Sequence, residues 1–307
     1  MSRDVTLIEV GPRDGFQPIT TIIPTSQKIN YIRRLYDTGL RRVEASAFVS
    51  PRAMPQMADA AEVLAAAQAM PDLGVQVLVP NQRYCEEAVS AGATAIAFVL
   101  SVSRKHNMNN VRKTPQESVE EYARIVGELP PSISLRLNLA TSFDCPFDGP
   151  VAPDDVIGLL DQLVTIRPKV EISLCDTTGR TTPDKVEALF SRAMARFPNG
   201  PGWVFHGHDT YGLGVANVLA AYSSGVRAFD ASFAGLGGCP FAPGATGNVA
   251  TEDVVWTFDK MGISTGIDLG LLLDVAEDGA RITGATPGGR VRAALRGSGC
   301  IAEGATK

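Results

Sequence analysis

The sequence predicts an α/β protein folded as a closed (β/α)8 TIM barrel, with an additional helix and tail at the C-terminus. Short apolar runs rich in β-branched residues alternate with longer helical patterns, and the alternation occurs eight times. No GxGxxG motif follows the first run, which argues against a dinucleotide-binding fold. Repeated strand–helix units predict parallel strands, and a count of eight favours a closed barrel over an open, doubly wound sheet.

The eight strand predictions rest on apolar segments at 5–10, 42–47, 75–79, 95–100, 134–139, 170–175, 203–207 and 228–233. Helices are predicted between and after them, at about 26–38, 57–70, 81–91, 115–128, 153–167, 182–197, 211–224 and 251–261. Pro153 and Pro183 stand at helix starts, where proline is favoured. Gly39, Gly92 and Gly225 stand where helices should end.

The chain is predicted to form one domain. The barrel should cover about 4–262, and a C-terminal extension about 263–307. Helical periodicity continues after about 265, and the sequence then becomes glycine-rich and basic. This pattern predicts one extra helix followed by a mobile tail.

Composition excludes several classes of function. Of the 307 residues, 45% are hydrophobic and 20% charged, as in ordinary globular proteins. A net charge of -5 argues against a nucleic-acid partner. No apolar run approaches the roughly 18 residues of a membrane-spanning helix, and the first apolar segment is too short for a signal peptide. A cytoplasmic protein is expected, with five scattered cysteines that form no disulfide framework.

His206 and His208 are the sharpest functional signal. In a TIM barrel, catalytic residues lie at the carboxyl ends of the strands, and both histidines stand at the end of the seventh predicted strand. Residues two apart on a strand point to the same side. The chain has only three histidines, so the pair predicts half of a metal site. The alternative is one core histidine beside one that orients a neighbour.

Oxygen ligands should complete such a site. Asp14 follows the first strand, and Asn248 lies in the loop after the last. Closure of the barrel brings both beside the seventh strand. Two imidazoles with a carboxylate and a carboxamide oxygen suit Mg²⁺ or Mn²⁺.

Other polar residues near strand ends leave alternatives open. Arg13 is either part of a structural ion pair or a cation facing developing negative charge. Glu44 stands inside an apolar run, where an arginine such as Arg13 or Arg136 should pair with it. Asp176 and the residue after His208, Asp209, are either ligands or groups that orient the imidazoles.

Two segments carry further alternatives. Cys239, in a glycine-rich loop, is either a proton donor or a buried apolar residue. The segment 101–113 is predicted as a loop. It is either simply solvated or a basic lip that binds a phosphate-bearing substrate.

Several motifs together resemble the 3-hydroxy-3-methylglutaryl-CoA lyase family of TIM-barrel metal-dependent lyases. The resemblance runs from about Val5 to Gly262. Its motifs are Glu9-Val10-Gly11-Pro12-Arg13-Asp14-Gly15, Phe48-Val49-Ser50-Pro51, Pro55-Gln56-Met57-Ala58-Asp59, His206-Gly207-His208-Asp209-Thr210-Tyr211-Gly212, Gly235-Leu236-Gly237-Gly238-Cys239-Pro240-Phe241-Ala242 and Gly247-Asn248-Val249-Ala250-Thr251-Glu252-Asp253.

The resemblance implies a role for each matched residue. The implied metal ligands are Asp14, His206, His208 and Asn248, for Mg²⁺ or Mn²⁺. The implied catalytic residues are Arg13, which would steady the enolate oxygen of the thioester, Cys239, which would protonate the acetyl-CoA carbanion, and the acidic groups Glu44, Asp176 and Glu252. The expected substrate-binding residues are Arg13, Gln17, Ala47, Asn107 and Asn138. A homodimer or larger homo-oligomer is expected, and Cys300 resembles a cysteine linked to thiol regulation.

The expected reaction is cleavage of 3-hydroxy-3-methylglutaryl-CoA, an acyl-CoA, to acetyl-CoA and acetoacetate. Departures from the family pattern affect the acyl pocket: Phe16 and Pro18 flank Gln17, Ala47 replaces a serine, and Asn138 stands where an aromatic residue is common. A relative such as citramalyl-CoA is therefore an alternative substrate. Condensation of acetyl-CoA with a 2-oxo acid and a non-catalytic binding role are the remaining hypotheses.

Overall fold

The computed structural model describes residues 3–238 and 246–297, and its centre is a closed barrel of eight parallel strands. Around the barrel the strands follow the order β1-β10-β9-β8-β5-β4-β3-β2. The barrel strands are β1 (Thr6–Glu9), β2 (Arg42–Ala47), β3 (Gly74–Val79), β4 (Ala95–Ser101), β5 (Ser134–Ala140), β8 (Glu171–Asp176), β9 (Gly202–Gly207) and β10 (Ala228–Ala231). A small hairpin, β6 (Asp144–Cys145) and β7 (Gly149–Pro150), lies outside it.

Helices surround the barrel, as the alternating pattern predicts. They are α1 (Thr25–Asp37), α2 (Ala60–Gln68), α3 (Gln82–Ser90), α4 (Arg104–Val111), α5 (Pro115–Glu128), α6 (Pro153–Ile166), α7 (Pro183–Arg196), α8 (Gly214–Ser223), α9 (Thr251–Lys260), α10 (Leu269–Gly279) and α11 (Val291–Gly297). The TIM-barrel prediction is confirmed, and all eight predicted strands are present with ends shifted by at most two residues.

Local chemistry explains most helix ends. Thr114 and Glu117 form a reciprocal capping box at the start of α5. Gly39, Gly92 and Gly225 follow helices with φ of 100°, 92° and 107°, a conformation that favours glycine. The strand and helix boundaries that position the site are therefore encoded locally.

The segment 101–113 is not a loop, so that prediction is wrong. Arg104–Val111 forms helix α4, whose N-cap Ser103 accepts a hydrogen bond from the backbone N–H of His106. The helix has no continuous apolar stripe, so hydrophobic periodicity could not reveal it. It ends at Arg112, which has a left-handed φ of 59°.

The C-terminal extension contains two helices, α10 and α11, rather than the single helix predicted. The predicted tail from 298 to 307 lies outside the described residues. A segment before α11 packs against a short 3-10 turn at Phe233–Gly235, where the backbone N–H of Gly288 donates to the carbonyl of Ala234 at 2.7 Å. This contact places the extension against the segment that leads towards Cys239.

Asp253 on α9 anchors the start of α11 to the barrel. Its carboxylate accepts hydrogen bonds from the backbone N–H groups of Arg290 and Val291, at 2.8 to 3.0 Å. Hydrogen bonds to a charged acceptor contribute about 1.5–3 kcal/mol each. Asp253 is 6% exposed, so solvent screens these bonds little.

Replacing Asp253 with alanine should therefore release the segment from the barrel. We expect the free energy of unfolding to fall by about 2 kcal/mol, and proteases to cleave within 281–297 more rapidly. Asp259→Ala is the matched control, because Asp259 lies exposed on the same helix and its side chain makes no hydrogen bond within the described chain. Equal protease resistance in the two variants would contradict this anchoring role.

Candidate active site

The carboxyl ends of β1 and β9 bring the strongest candidate ligands together. Asp14 lies in a helical turn, Gly11–Gly15, directly after β1, and His206 and His208 lie at the end of β9. One ligand atom from each of the three residues lies within 4.8 Å of the others. The two imidazole rings have centroids 5.2 Å apart. The predicted same-side placement of the histidines is thus what the structure shows.

Asn248 is held beside this cluster by the backbone. It forms an antiparallel bridge with His208. Its side-chain Nδ2 donates to Asp14 Oδ2 at 2.7 Å and to the Leu236 carbonyl at 3.0 Å. Gly237 permits this approach, since a Cβ there would lie 2.6 Å from Nδ2.

Two buried polar atoms at this cluster lack a hydrogen-bond partner within the described part of the chain: Asn248 Oδ1 and His208 Nδ1. Unpartnered buried acceptors cost free energy, and both are atoms that bind metals. Because Asn248 uses its amide N–H groups on Asp14 and Leu236, only its oxygen is available. The donor set fits a divalent cation that prefers oxygen and imidazole ligands.

Asp230 orients His206, a role that sequence reasoning assigned to Asp176 or Asp209. The His206 Nδ1 lies 3.0 Å from Asp230 Oδ2. A proton on Nδ1 leaves Nε2 as the acceptor atom for a ligand bond. Asp209 instead accepts a hydrogen bond from the backbone N–H of Gly214 at the start of α8. Asp230 could have been found from the sequence, because it is an acidic residue inside an apolar strand segment, as Glu44 is.

Asp230 is itself held by Arg136, which donates to both of its carboxylate oxygens. Burial by itself raises the pKa of Asp230, but Arg136 and His206 together lower it well below its usual range. The carboxylate therefore stays ionised behind the imidazole. Arg136 pairs with Asp230 rather than with Glu44, which decides the alternative that the sequence left open.

Arg13 pairs with Glu44 through Nε and with Asp14 through Nη1. Glu44 also accepts a hydrogen bond from Gln76 at 2.8 Å and is fully buried. Arg13 Nη2 makes no hydrogen bond within the described chain, and Arg13 lines the central cavity. The structural ion pair is therefore present and fixes the guanidinium, and Nη2 remains available, so the catalytic role of Arg13 stays a prediction.

The electrostatics of the cluster suit metal binding. Burial alone would raise the pKa of Asp14, but Arg13 and the two histidines lower it to about 2. Burial also lowers the pKa of His208 to about 4, with His206 adding to the effect. At neutral pH an ionised carboxylate thus faces an unprotonated imidazole, as metal ligation requires.

Three carboxylates predicted as catalytic do not line the cavity: Glu44, Asp176 and Glu252. Asp176 accepts hydrogen bonds from the backbone of Gly179 and Thr181 and so shapes the loop after β8. Glu252 accepts a hydrogen bond from the backbone N–H of Ala234 and lies behind the 3-10 turn. Each is buried and hydrogen-bonded to protein groups, and the catalytic roles of these residues stay predictions.

Glu9 was not predicted, although it belongs to the first motif. It is fully buried and accepts hydrogen bonds from the backbone of Gly11 and Phe233 and from the Thr251 hydroxyl, at 2.7 to 2.9 Å. It therefore ties the turn that carries Asp14 to the loops after β10. Burial raises the pKa of Glu9 to about 7, despite these hydrogen bonds.

This raised pKa predicts a pH-dependent stability. The folded state holds the proton more tightly than the unfolded chain, so the stabilisation is complete below about pH 4.5 and is lost as pH rises through 7. Glu9→Gln keeps an acceptor oxygen and cannot ionise. We expect the variant to gain up to about 1.4 kcal/mol relative to wild type per pH unit between pH 5 and 7. Denaturant unfolding at several pH values measures this, and parallel curves would refute it.

A single cavity of about 850 Å³ opens over the ligand cluster. Gln17, Ala47 and Asn138 line it, as predicted for substrate-binding residues. Asn107 does not line it, and its assignment to substrate binding stays a prediction. Its side chain is fully buried and is used internally, accepting from the Ser101 N–H and donating to the Lys113 carbonyl and the Ser118 hydroxyl.

Helix α4 supplies other residues to the cavity in its place. His106, Asn110 and the exposed Arg112 line its wall and mouth. Thr286 reaches the cavity from the C-terminal extension, a position that no pattern in the sequence predicts. Of the arginines and lysines in 101–113, Arg112 alone lines the cavity, so a basic lip that binds a phosphate stays a prediction.

Three cysteines lie within the described residues, and all are buried and free: Cys85, Cys145 and Cys175. Cys175 lines the cavity, and burial raises the pKa of its thiol to about 12, so it is neutral at physiological pH. The predictions for Cys239 and Cys300 fall outside the described residues. Gly238, directly before Cys239, lines the cavity.

Fold and site together define a TIM-barrel protein with a metal-type ligand cluster at the end of the barrel where catalysis occurs. The chain belongs to the HMGL-like family, whose model matches residues 4–278. The resemblance carried by the motifs is therefore confirmed.

Several lyases are similar to this chain in sequence and structure over most of its length. It is 40% identical to the mitochondrial hydroxymethylglutaryl-CoA lyase of Arabidopsis thaliana over 95% of its own length, and spans 62% of that relative. Identity to the hydroxymethylglutaryl-CoA lyase of Pseudomonas mevalonii is 40%, over 91% of each chain. A solved HMG-CoA lyase from Acinetobacter baumannii, in complex with coenzyme A and 3-methylmalate, matches with a TM-score of 0.88 and 37% identity, covering 96% of this chain and 95% of that one.

Proposed function

We propose that this protein is a divalent-metal-dependent lyase that cleaves a 3-hydroxyacyl-CoA, with 3-hydroxy-3-methylglutaryl-CoA as substrate and acetyl-CoA and acetoacetate as products. One observation carries the proposal: Asp14, His206, His208 and Arg13 line a single cavity at the carboxyl end of the barrel. The names of the relatives, and the coenzyme A in the Acinetobacter structure, support an acyl-CoA substrate.

The ligand set assigns a task to each residue. Asp14, His206, His208 and Asn248 would hold Mg²⁺ or Mn²⁺, which when bound orients the C3 hydroxyl and lowers its pKa. No carboxylate other than Asp14 lines the described part of the cavity. We therefore expect water to accept the hydroxyl proton as the C2–C3 bond breaks.

Arg13 would stabilise the electrons released by bond cleavage. They move onto the thioester, whose enolate oxygen gains negative charge. Arg13 lines the cavity with Nη2 unengaged by the described residues. A preorganised cation next to developing negative charge lowers the barrier, because no reorganisation is needed.

Cys239 would then protonate the carbanion to give acetyl-CoA. Its neighbour Gly238 lies at the cavity, which supports this assignment.

The test is a panel of 3-hydroxyacyl-CoA thioesters assayed with Mg²⁺ and Mn²⁺ after chelation and reloading. We expect metal-dependent release of acetyl-CoA, fastest from 3-hydroxy-3-methylglutaryl-CoA. Turnover of citramalyl-CoA in preference would identify the alternative substrate, which the departures from the family pattern at Ala47 and Asn138 leave open. Free CoA thiol appearing from acetyl-CoA with a 2-oxo acid would instead indicate a condensing enzyme. Inactivity in every assay would overturn the proposal.

Assembly and location stay predictions. We propose a homodimer or larger homo-oligomer, which sedimentation of the purified protein would test. None of the described helices is long and apolar enough to cross a membrane. The name of the Arabidopsis relative places that protein in mitochondria, so a cytoplasmic location for this chain requires direct localisation.

A further inference from the structure

One wall of the cavity is apolar except for a single amide. Neighbouring strands β2, β3, β4 and β5 contribute Ala47, Leu78, Val99 and Asn138 to it. The Asn138 side chain is 6% exposed. A lone polar group in an apolar wall is the arrangement that orients and selects a ligand in small-molecule sites.

The orientation of this amide is set by Arg136. The Arg136 Nε donates to Asn138 Oδ1 at 2.7 Å. A guanidinium can only donate, so the oxygen must face it and the Nδ2 amide must face away. Arg136 cannot turn freely, because it also holds both oxygens of Asp230.

The NH₂ group so oriented has no acceptor within the described chain. Asn138 makes one side-chain hydrogen bond there, the one from Arg136. The Asn138 NH₂ group is therefore an unpaired donor, and the other three side chains of this wall, Ala47, Leu78 and Val99, cannot form hydrogen bonds. A site built around a buried donor rejects ligands that cannot accept from it, because the donor is left unpaired.

We propose that Asn138 is a specificity-determining residue whose Nδ2 donates to the free carboxylate of the acyl group. This rests on the proposed lyase function and names the contact that would recognise the free carboxylate, which 3-hydroxy-3-methylglutaryl-CoA and citramalyl-CoA both carry. The arginines around the cavity leave the carboxylate contact to a neutral donor. The described arginines that line the cavity are Arg13, whose free Nη2 is assigned to the enolate oxygen, and Arg112, which is exposed to solvent.

Two variants distinguish the role of the Asn138 NH₂ donor from that of the contact between Asn138 and Arg136. Asn138→Leu removes both polar atoms. Asn138→Asp keeps an oxygen for Arg136 and so retains the internal contact, but it replaces the donor with a carboxylate. Wild type and both variants are assayed with 3-hydroxy-3-methylglutaryl-CoA. The inhibition constant of 3-hydroxy-3-methylbutyryl-CoA, which lacks the carboxylate, is measured in the same assays.

We expect kcat/KM for the dicarboxylate-derived substrate to fall roughly 10- to 100-fold in the leucine variant, as for loss of a hydrogen bond to a charged group. The aspartate variant should lose at least as much. The inhibition constant of the shorter analogue should stay within about 3-fold of wild type, since no carboxylate contact is lost.

Other results would overturn the inference. Unchanged kcat/KM in either variant would show that the donor does not contact substrate. Equal losses for substrate and analogue would show that Asn138 only maintains the fold of the wall. Wild-type inactivity towards all 3-hydroxyacyl-CoA thioesters would instead count against the lyase function itself, so the two failures are distinguishable.

Discussion

His206→Ala should reduce both bound metal and activity, the latter by at least about 100-fold. Loss of groups that merely orient metal ligands costs about 10- to 100-fold, and His206 is proposed as a ligand itself. Its ring lies beside that of His208, and its Nδ1 is held by Asp230. Asp230 stays paired with Arg136 in the variant, so the barrel should remain folded.

Metal content and turnover should be measured on the same sample, by elemental analysis after gel filtration and by acetyl-CoA release. His106→Ala is the matched control for metal content, because His106 is the third histidine and its Nδ1 is engaged by the Ser101 hydroxyl at 2.7 Å. The control should keep its metal. A His206→Ala enzyme with full activity would remove the basis of the metal assignment.

Much of the fold and the centre of the site could be predicted from the sequence, because both depend on local patterns. Strand and helix periods are visible in the chain, and closure of an eight-stranded barrel brings the strand ends together. His206 and His208 share a side because a strand repeats every two residues. Asp14 follows from the same geometry, since β1 and β9 both flank β10.

Roles set by partners distant in sequence could not be predicted in this way. Asp230 and Arg136 are 94 residues apart, and only barrel closure reveals their pairing. Thr286 reaches the cavity because Asp253 fastens a segment 37 residues later. Such contacts depend on tertiary packing, which periodicity does not encode.

Arg13→Met should lower kcat by about 10²- to 10³-fold while leaving metal bound. Loss of one preorganised group that stabilises transition-state charge costs about 10²- to 10³-fold in kcat. All four ligand side chains are kept, and Asp14 retains its hydrogen bond from Asn248 after losing the one from Arg13, so metal content measured by elemental analysis should stay close to wild type. A variant that retains wild-type kcat would contradict the role assigned to the guanidinium.

Arg13→Met should also lower the free energy of unfolding. Glu44 is fully buried and paired with Arg13, and removing one partner of a buried pair typically destabilises by about 3–5 kcal/mol. Adding Glu44→Gln removes the unpaired charge, and the amide still has Gln76 beside it. We therefore expect the double variant to recover most of the lost unfolding free energy without recovering kcat. Activity that returned together with stability would mean that Arg13 acts only by neutralising Glu44, and the electrons released from the C2–C3 bond would need another stabilising group.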